Sequence, residues 1–155
     1  MVILRKRVPG ATAATLDRFL RKGMKSVGIR GTVNVLVTSS RELQSLNAQF
    51  RHKDKPTDVL SFPPLSTQPQ DFSGDIAISG EIAAQSAKVL GHATADEVKI
   101  LILHGLLHLA GHDHERDSGV MARKEQQLRR TLGLPIGLIE RAEKVTSSLK
   151  KRKTP

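Results

Sequence analysis

The sequence predicts an α+β fold, a single domain in which one small β-sheet is covered by helices. Its 155 residues are the length of one ordinary domain. Short alternating or β-branched segments interchange with segments of helical periodicity, in the order β-α-β-α-β-β-α-α-α. Neither an internal repeat nor a linker divides the chain. We therefore expect all the elements to share one hydrophobic core.

In the first half of the chain, two strands are predicted, each followed by a helix. β-Branched and alternating residues indicate the strands, and apolar residues on one face indicate the helices. Thr12 is a candidate helix cap, and Ser39 with Glu42 forms a capping-box pattern. The predicted segments are Val2–Val8, Thr12 to about Val27, Thr32–Thr38 and Ser39 to about Phe50.

In the second half, two short strands precede three helices. The charged residues 51–57 and the Pro-rich residues 63–73 are predicted to be surface loops. Thr94 and Glu97 form a second capping-box pattern. The predicted segments are Asp58–Phe62, Gly74–Ser79, Gly80–Leu90, Thr94 to about Ala110, and Ser118 to Leu132. Residues 136–149 are compatible with a further helix, and residues 150–155 are expected to be disordered.

Composition limits the kind of site and the partners. The chain has no cysteine, which excludes disulfides, iron–sulfur clusters and thiolate zinc sites. The N-terminus lacks the apolar segment of a signal peptide, and no apolar run approaches the roughly 20 residues that cross a bilayer. We expect a cytoplasmic protein without a membrane partner. The net charge is +7 in residues 1–30, −2 in residues 31–140 and +5 in residues 141–155. Such basic ends suit nucleic acid, or form a solvated charged face.

Residues 104–114, HGLLHLAGHDH, place histidines at the spacing of metal ligands. His104 and His108 are four residues apart and therefore lie on one face of a helix. Gly111 allows the chain to turn back, so that His114 can supply a third imidazole. The helix is apolar almost all round, and buried imidazoles need partners. The pattern predicts one divalent metal ion per chain, with Zn²⁺ first and nickel, iron, copper or manganese open.

The spacing H-x-x-x-H-x-x-G-x-x-H matches that of the metzincin zinc proteases except at one position. Those proteases carry a Glu general base directly after the first His, where this chain has Gly105. Three protein ligands leave a fourth position for water, which is typical of a catalytic zinc site. The pattern predicts a zincin-like helix in a metal-dependent hydrolase that is not a peptidase.

Other residues near the cluster have weaker signals. His112 is an alternative ligand, and Asp113 or Glu115 is a candidate to orient a ligand imidazole. His52 and His92 are interpreted as ordinary surface histidines.

Two further segments extend the pattern. Residues 46–63, LNAQFRHKDKPTDVLSFP, and residues 74–79, GDIAIS, followed by HGLLHLAGHDH, strongly resemble the YbeY family of bacterial endoribonucleases, the rRNA maturation factors. The resemblance covers residues 30–135. The chain departs from the family at His112, where an aromatic residue is usual, and at Ser79, where Cys is frequent.

The resemblance implies a small mixed sheet with surrounding helices and a metal-dependent, single-strand-specific endoribonuclease. It implies maturation of the 3′ end of 16S rRNA and ribosome quality control, in the cytoplasm. In the family, histidines matching His104, His108 and His114 bind the metal, and an arginine matching Arg51 is functionally important. Residues 1–135 are then the metal-dependent endoribonuclease domain, and residues 136–155 are a basic, partly disordered C-terminal extension.

Arg51 is the candidate catalytic residue, because a guanidinium can donate two parallel hydrogen bonds to phosphate oxygens. Several neighbours are candidates to contact phosphate or to orient Arg51 or a histidine: Lys53, Asp54, Lys55, Asp58 and Asp75. The chain has no Trp, no Tyr and only four Phe, so RNA binding should be mainly electrostatic.

The expected partners are single-stranded RNA, rRNA of the small ribosomal subunit, and a ribosomal or assembly-factor protein. The attacking nucleophile, water or the neighbouring 2′-hydroxyl, stays open. Two alternatives also stay open: an rRNA-binding assembly factor with a mainly structural metal, and a peptidase or other small-molecule hydrolase, of which Gly105 disfavours the peptidase.

Overall fold

The computed structural model describes residues 1–113 and 117–135 of the chain. Within those residues the elements follow one another in the predicted order, which confirms the α+β class. They are β1 (Val2–Leu4), α1 (Ala13–Val27), β2 (Thr32–Thr38), α2 (Ser40–Arg51), β3 (Val59–Phe62), β4 (Phe72–Ser79), α3 (Gly80–Leu90), α4 (Thr94–Leu109) and α5 (Val120–Thr131). The predictions made for residues 136–155 lie outside the described residues.

The strands form a mixed sheet in the order β1-β2-β4-β3. β1, β2 and β4 run parallel, and β3 pairs with β4 in the antiparallel sense. Because side chains alternate along a strand, Val35 and Ile76 point into the main core, where each is at most 1 % exposed. Leu60 and Ala77 belong to a smaller cluster with Leu43 of α2. Helices α1 and α4 pack beside the sheet, and α2 contacts β3 and β4.

Helix α4 is the central element, and its burial almost all round agrees with its apolar sequence. It contacts α1, α3 and α5 as well as β3 and β4. Two glycines allow the close approach. A Cβ added to Gly23 of α1 would lie 2.9 Å from Leu106 Cδ1, and one added to Gly105 would lie 2.9–3.1 Å from three side-chain atoms of Ile76 on β4. The C-terminal half of α4 therefore lies directly against the sheet.

Two of the predicted helix starts are confirmed. Thr12 caps α1 in a reciprocal box with Thr15. Ser39 caps α2 by accepting the backbone N–H of Glu42 at 3.1 Å. The Glu42 carboxylate does not complete the box, because it accepts from the hydroxyl of Thr38 instead.

The capping box predicted at the start of α4 is wrong. Ala93 is the N-cap and makes no side-chain hydrogen bond, and the Glu97 carboxylate turns to His92 instead of the helix start. The first strand is also shorter than predicted. It ends at Leu4, because the next two backbone N–H groups both donate to the carbonyl of Val37 and take the chain out of register.

Two smaller boundaries differ. β4 begins at Phe72, two residues before the predicted Gly74, and α5 begins at Val120 after Gly119, which adopts a left-handed conformation. Across the described residues, no helix has the length and apolar character needed to span a membrane.

Candidate active site

His104 and His108 lie one turn apart on α4 and turn their rings toward each other. Their Nε2 atoms are 3.1 Å apart, and the ring centroids are 4.8 Å apart with planes at 72°. His104 is only 7 % exposed. The structure therefore brings together two of the three histidines that the spacing singles out.

The other nitrogen of each ring has an oxygen partner. His104 Nδ1 is 3.0 Å from Oε2 of Glu125 on α5, and His108 Nδ1 is 3.1 Å from the backbone carbonyl of His112. A carboxylate oxygen and a carbonyl oxygen accept hydrogen bonds, so each ring donates from Nδ1. The two Nε2 atoms then face each other, and a cation held between them would accept both lone pairs.

Two imidazole Nε2 atoms that face each other are a donor set for a divalent transition metal. Ligands bound at 2.0–2.1 Å in tetrahedral zinc geometry lie about 3.3 Å from one another, close to the 3.1 Å between these Nε2 atoms. The two nitrogen donors therefore have a spacing compatible with two ligands of a zinc site, and nitrogen donors also suit other first-row metals. His114, the predicted third ligand, lies outside the described residues, and among those described no group of three His, Cys, Asp or Glu is placed to hold a metal.

The two histidines open into a cleft of about 660 Å³ that Arg51 also lines. Arg51 is the last residue of α2, and its Nη2 donates to the carbonyl of Ser61 at 3.0 Å. The hydroxyl of Ser61 in turn donates to the carbonyl of Gly105 at 3.3 Å. Ser61 thus connects the arginine to the helical turn that carries His104.

The basic loop after α2 is held over the cleft by Asn47, which is 4 % exposed. Its Nδ2 donates to the carbonyl of Lys55 at 3.0 Å, and its own carbonyl accepts the N–H of Lys53 at 3.2 Å. Both lysines line the cleft. The partner of Asp54 is Gln44, at 3.0 Å, rather than Arg51 or a histidine.

The other two candidate aspartates, Asp58 and Asp75, line different cavities. Asp58 lines the cleft, and burial raises its pKa, although the charge of His104 acts in the opposite direction. Asp75 is on β4 and lines a separate groove, where it accepts from Nδ2 of Asn34 at 3.2 Å. The suggestion that Asp75 orients a ligand histidine is therefore wrong.

Glu125, the buried partner of His104, is not among the residues that the sequence analysis predicts. It is 1 % exposed and belongs to the buried stripe of α5 with Met121 and Leu128. An acid inside an otherwise apolar stripe is the signal that could have found it. Of the two acids suggested for this role, Asp113 lines the cleft, and Glu115 lies outside the described residues.

The two remaining histidines differ. His52 is exposed and ends α2 in a left-handed conformation. His92 is not an ordinary surface residue: its side chain is 13 % exposed, and its Nε2 lies 2.6 Å from Oε2 of buried Glu97. At the family's frequent Cys position, the hydroxyl of Ser79 caps α3 by accepting the N–H of Ile82 at 3.1 Å.

Comparison with known proteins gives consistent matches over most of the chain. A family model described as Endoribonuclease YbeY matches residues 6–133. A relative from Koribacter versatilis, named Endoribonuclease YbeY, is 53 % identical over 153 residues and covers 99 % of each chain. One of the same name from Solibacter usitatus is 48 % identical and covers 83 % of this chain and 84 % of its own. The solution structure of TM1509 from Thermotoga maritima is similar with a TM-score of 0.55 at 30 % identity, over 82 % of this chain and 85 % of that one.

Proposed function

The chain belongs to the YbeY endoribonuclease family, and we propose that it is a metal-dependent endoribonuclease that cleaves single-stranded RNA. The observation that supports the metal dependence is the 3.1 Å approach of two imidazole Nε2 atoms in a cleft that Arg51 lines. Following the family resemblance, we propose rRNA of the small ribosomal subunit as substrate, with roles in 16S rRNA 3′-end maturation and ribosome quality control in the cytoplasm. A ribosomal or assembly-factor protein is the proposed partner.

His104, His108 and His114 would hold one divalent metal ion, with zinc as the first choice. The first two bind through Nε2, because Glu125 and the carbonyl of His112 occupy their Nδ1 atoms. When bound, the ion would supply a Lewis acid for the phosphodiester group. The residues around it keep both rings in the orientation that ligation needs.

Arg51 would bind the reacting phosphate. One of its guanidinium N–H groups is fixed on the Ser61 carbonyl, which orients the planar group in the cleft. Its other N–H groups can donate in parallel to phosphate oxygens, and a guanidinium keeps its charge at any relevant pH. Such preoriented charge stabilises the extra negative charge of the transition state.

The lysines of the basic loop would contact flanking phosphates. Lys53 and Lys55 line the same cleft as Arg51, and Asn47 fixes the backbone of both. Binding through such contacts should weaken steeply as salt rises. The nucleophile stays open, and the product decides it: a 2′,3′-cyclic phosphate indicates attack by the 2′-hydroxyl, and its absence favours water.

The deciding experiment measures metal content and cleavage of single-stranded RNA for wild type, His108→Ala and His52→Asn. His52 is an exposed histidine in a left-handed conformation that Asn tolerates, so it is a matched control. We expect one metal ion per wild-type chain, lost together with cleavage in folded His108→Ala and retained in His52→Asn.

A folded His108→Ala variant that lacks metal but cleaves at the wild-type rate would contradict the proposal. The structural-metal alternative predicts a different result. In that case removal of a ligand histidine, His114→Ala for instance, unfolds the domain and abolishes RNA binding together.

A further inference from the structure

We propose that Glu125 is a positioning residue whose carboxylate fixes the His104 ring in the Nδ1–H tautomer and thereby directs Nε2 into the cleft as a metal ligand. The proposal rests on the metal dependence proposed above. The contact that supports it is the 3.0 Å approach of Glu125 Oε2 to His104 Nδ1. Glu125 would thus set the metal affinity of the proposed site without contacting the metal.

Burial makes this contact decisive for the tautomer. The side chains of His104 and Glu125 are 8 % and 1 % exposed, so solvent competes little for either group. Nδ1–H can donate to the carboxylate, whereas the Nε2–H tautomer would place an Nδ1 lone pair against carboxylate oxygen. The carboxylate oxygen therefore selects the tautomer that donates from Nδ1, and Nε2 faces His108.

Packing fixes the carboxylate itself. Glu125 lies between Met121 and Leu128 on the buried face of α5, at 0 % and 5 % exposure. The start of α5 is anchored by Asp117, which accepts the N–H groups of Gly119 and Met121 at 2.9 and 3.0 Å. Helix α5 is thus held in the position where Glu125 contacts His104 of α4.

A buried carboxylate is costly, so its presence calls for a function. An apolar residue of similar size in the same stripe would usually be at least as stable as a buried ion pair. A carboxylate behind a ligand imidazole raises the basicity of the ligand and offsets the charge of a bound cation. This explains an acid at position 125 better than packing does.

The chain offers a matched control in Glu97. This acid is equally buried at 1 % exposure, sits on α4 itself and pairs with His92 at 2.6 Å. Neither Glu97 nor His92 lines the cleft. Glu97→Gln therefore removes a buried carboxylate from a histidine without touching the proposed ligands.

The test is zinc affinity, measured by competition with a chromophoric chelator, for wild type, Glu125→Ala, Glu125→Gln and Glu97→Gln. Loss of a group that orients a ligand typically weakens binding about 10–100-fold, and we expect this for Glu125→Ala. Glutamine keeps an oxygen that accepts from Nδ1–H but loses the charge, so Glu125→Gln should weaken binding by less than about tenfold. Glu97→Gln should bind zinc like wild type.

A second readout reports the tautomer directly. The ¹⁵N spectrum of the metal-free protein should show His104 protonated at Nδ1 in wild type and in Glu125→Gln. In Glu125→Ala it should show loss of that preference. A role limited to stability would change the denaturation midpoint of the metal-free protein but neither the His104 tautomer of Glu125→Ala nor its zinc affinity relative to Glu97→Gln.

The outcomes separate the two proposals. Wild type that binds no zinc, cobalt or nickel would refute the metal dependence and this inference with it. If wild type binds zinc and Glu125→Ala binds equally tightly, only the role of Glu125 is refuted. If Glu125→Ala fails to fold, Glu125→Leu decides, because leucine fills the buried stripe of α5 but offers no acceptor for Nδ1–H. A zinc affinity equal to that of Glu97→Gln then refutes the proposal, and a selective loss supports it.

Discussion

Helix α4 has a buried carboxylate paired with a histidine near each end, and the two pairs differ in what surrounds them. At the N-terminal end, His92 and Glu97 are five residues apart and join the preceding loop to the first helical turn. At the C-terminal end, His104 and Glu125 are 21 residues apart and join two helices beside the cleft. Only there does the other ring nitrogen converge with a second imidazole. Among the described residues, this convergence distinguishes the candidate ligand from the pair at the helix start.

The largest expected difference between the two ends is in metal binding. His104→Ala should weaken zinc binding by more than about 100-fold, because it removes a ligand rather than the group behind a ligand. His92→Ala should bind zinc as wild type does. Both should destabilise the metal-free protein by roughly 1–3 kcal/mol, since each takes a histidine from a buried carboxylate. Zinc titration and urea unfolding check this, and equal zinc affinity in the two variants would remove the distinction.

A second difference is that the cleft end also contains Arg51. Arg51→Lys should lower the rate of RNA cleavage by about 100-fold with zinc affinity unchanged, because an ammonium cannot make the bidentate contact. Arg41→Lys, an exposed change on the same helix, is the control and should cleave normally. Single-turnover rates with a short RNA measure the effect. A wild-type rate for Arg51→Lys would show that a point charge suffices, and would reject the bidentate role.

The sequence predicts the fold well because each signal is local. Alternation predicts the strands, and the side-chain cap at Thr12 predicts the start of α1 correctly. The i, i+4 spacing of His104 and His108 also predicts their meeting, since helix geometry alone places them on one face.

What the sequence could not give is contact between distant segments. Glu125 reaches His104 only because α5 packs across α4, and periodicity within one helix does not reveal that crossing. The prediction for Glu97 is wrong because a nearby side chain takes part in the contact. Its position suits a capping box, but the Glu97 carboxylate contacts the His92 ring instead of the backbone at the helix start.

A smaller effect is expected from how closely the cleft end of α4 lies on the sheet. Gly105→Ala should destabilise the protein by about 1–2 kcal/mol, because its Cβ would meet Ile76 at 2.9–3.1 Å and overpacking outweighs the better helix propensity of alanine. In an Ile76→Val background the penalty should shrink, since one of the three crowded atoms is gone. Urea unfolding of the four proteins forms a double-mutant cycle. Additive effects would mean that contact with the Ile76 side chain does not cause the penalty.

The smallest effect concerns Asp58, whose pKa responds to charged groups near both ends of α4, His104 and Glu97. Burial raises its pKa, the charge of His104 lowers it, and that of Glu97 raises it. An acid with a raised pKa in the folded state contributes stability below its unfolded pKa, near 3.9, and loses it as pH rises through the folded value. Asp58→Asn should therefore raise the stability of the metal-free protein more at pH 7 than near pH 3.

For Asp17, the same Asp→Asn substitution should change stability at pH 7 in the opposite direction. A hydrogen bond from Arg21 lowers the pKa of Asp17, so its contribution is present above the unfolded pKa and is lost as pH falls through the folded value. Asp17→Asn should lower stability at pH 7, and the loss should diminish toward pH 3. Urea unfolding of both variants across this range measures the two slopes. If both variants changed stability in the same direction at pH 7, burial would not govern the pKa of Asp58 in the folded protein.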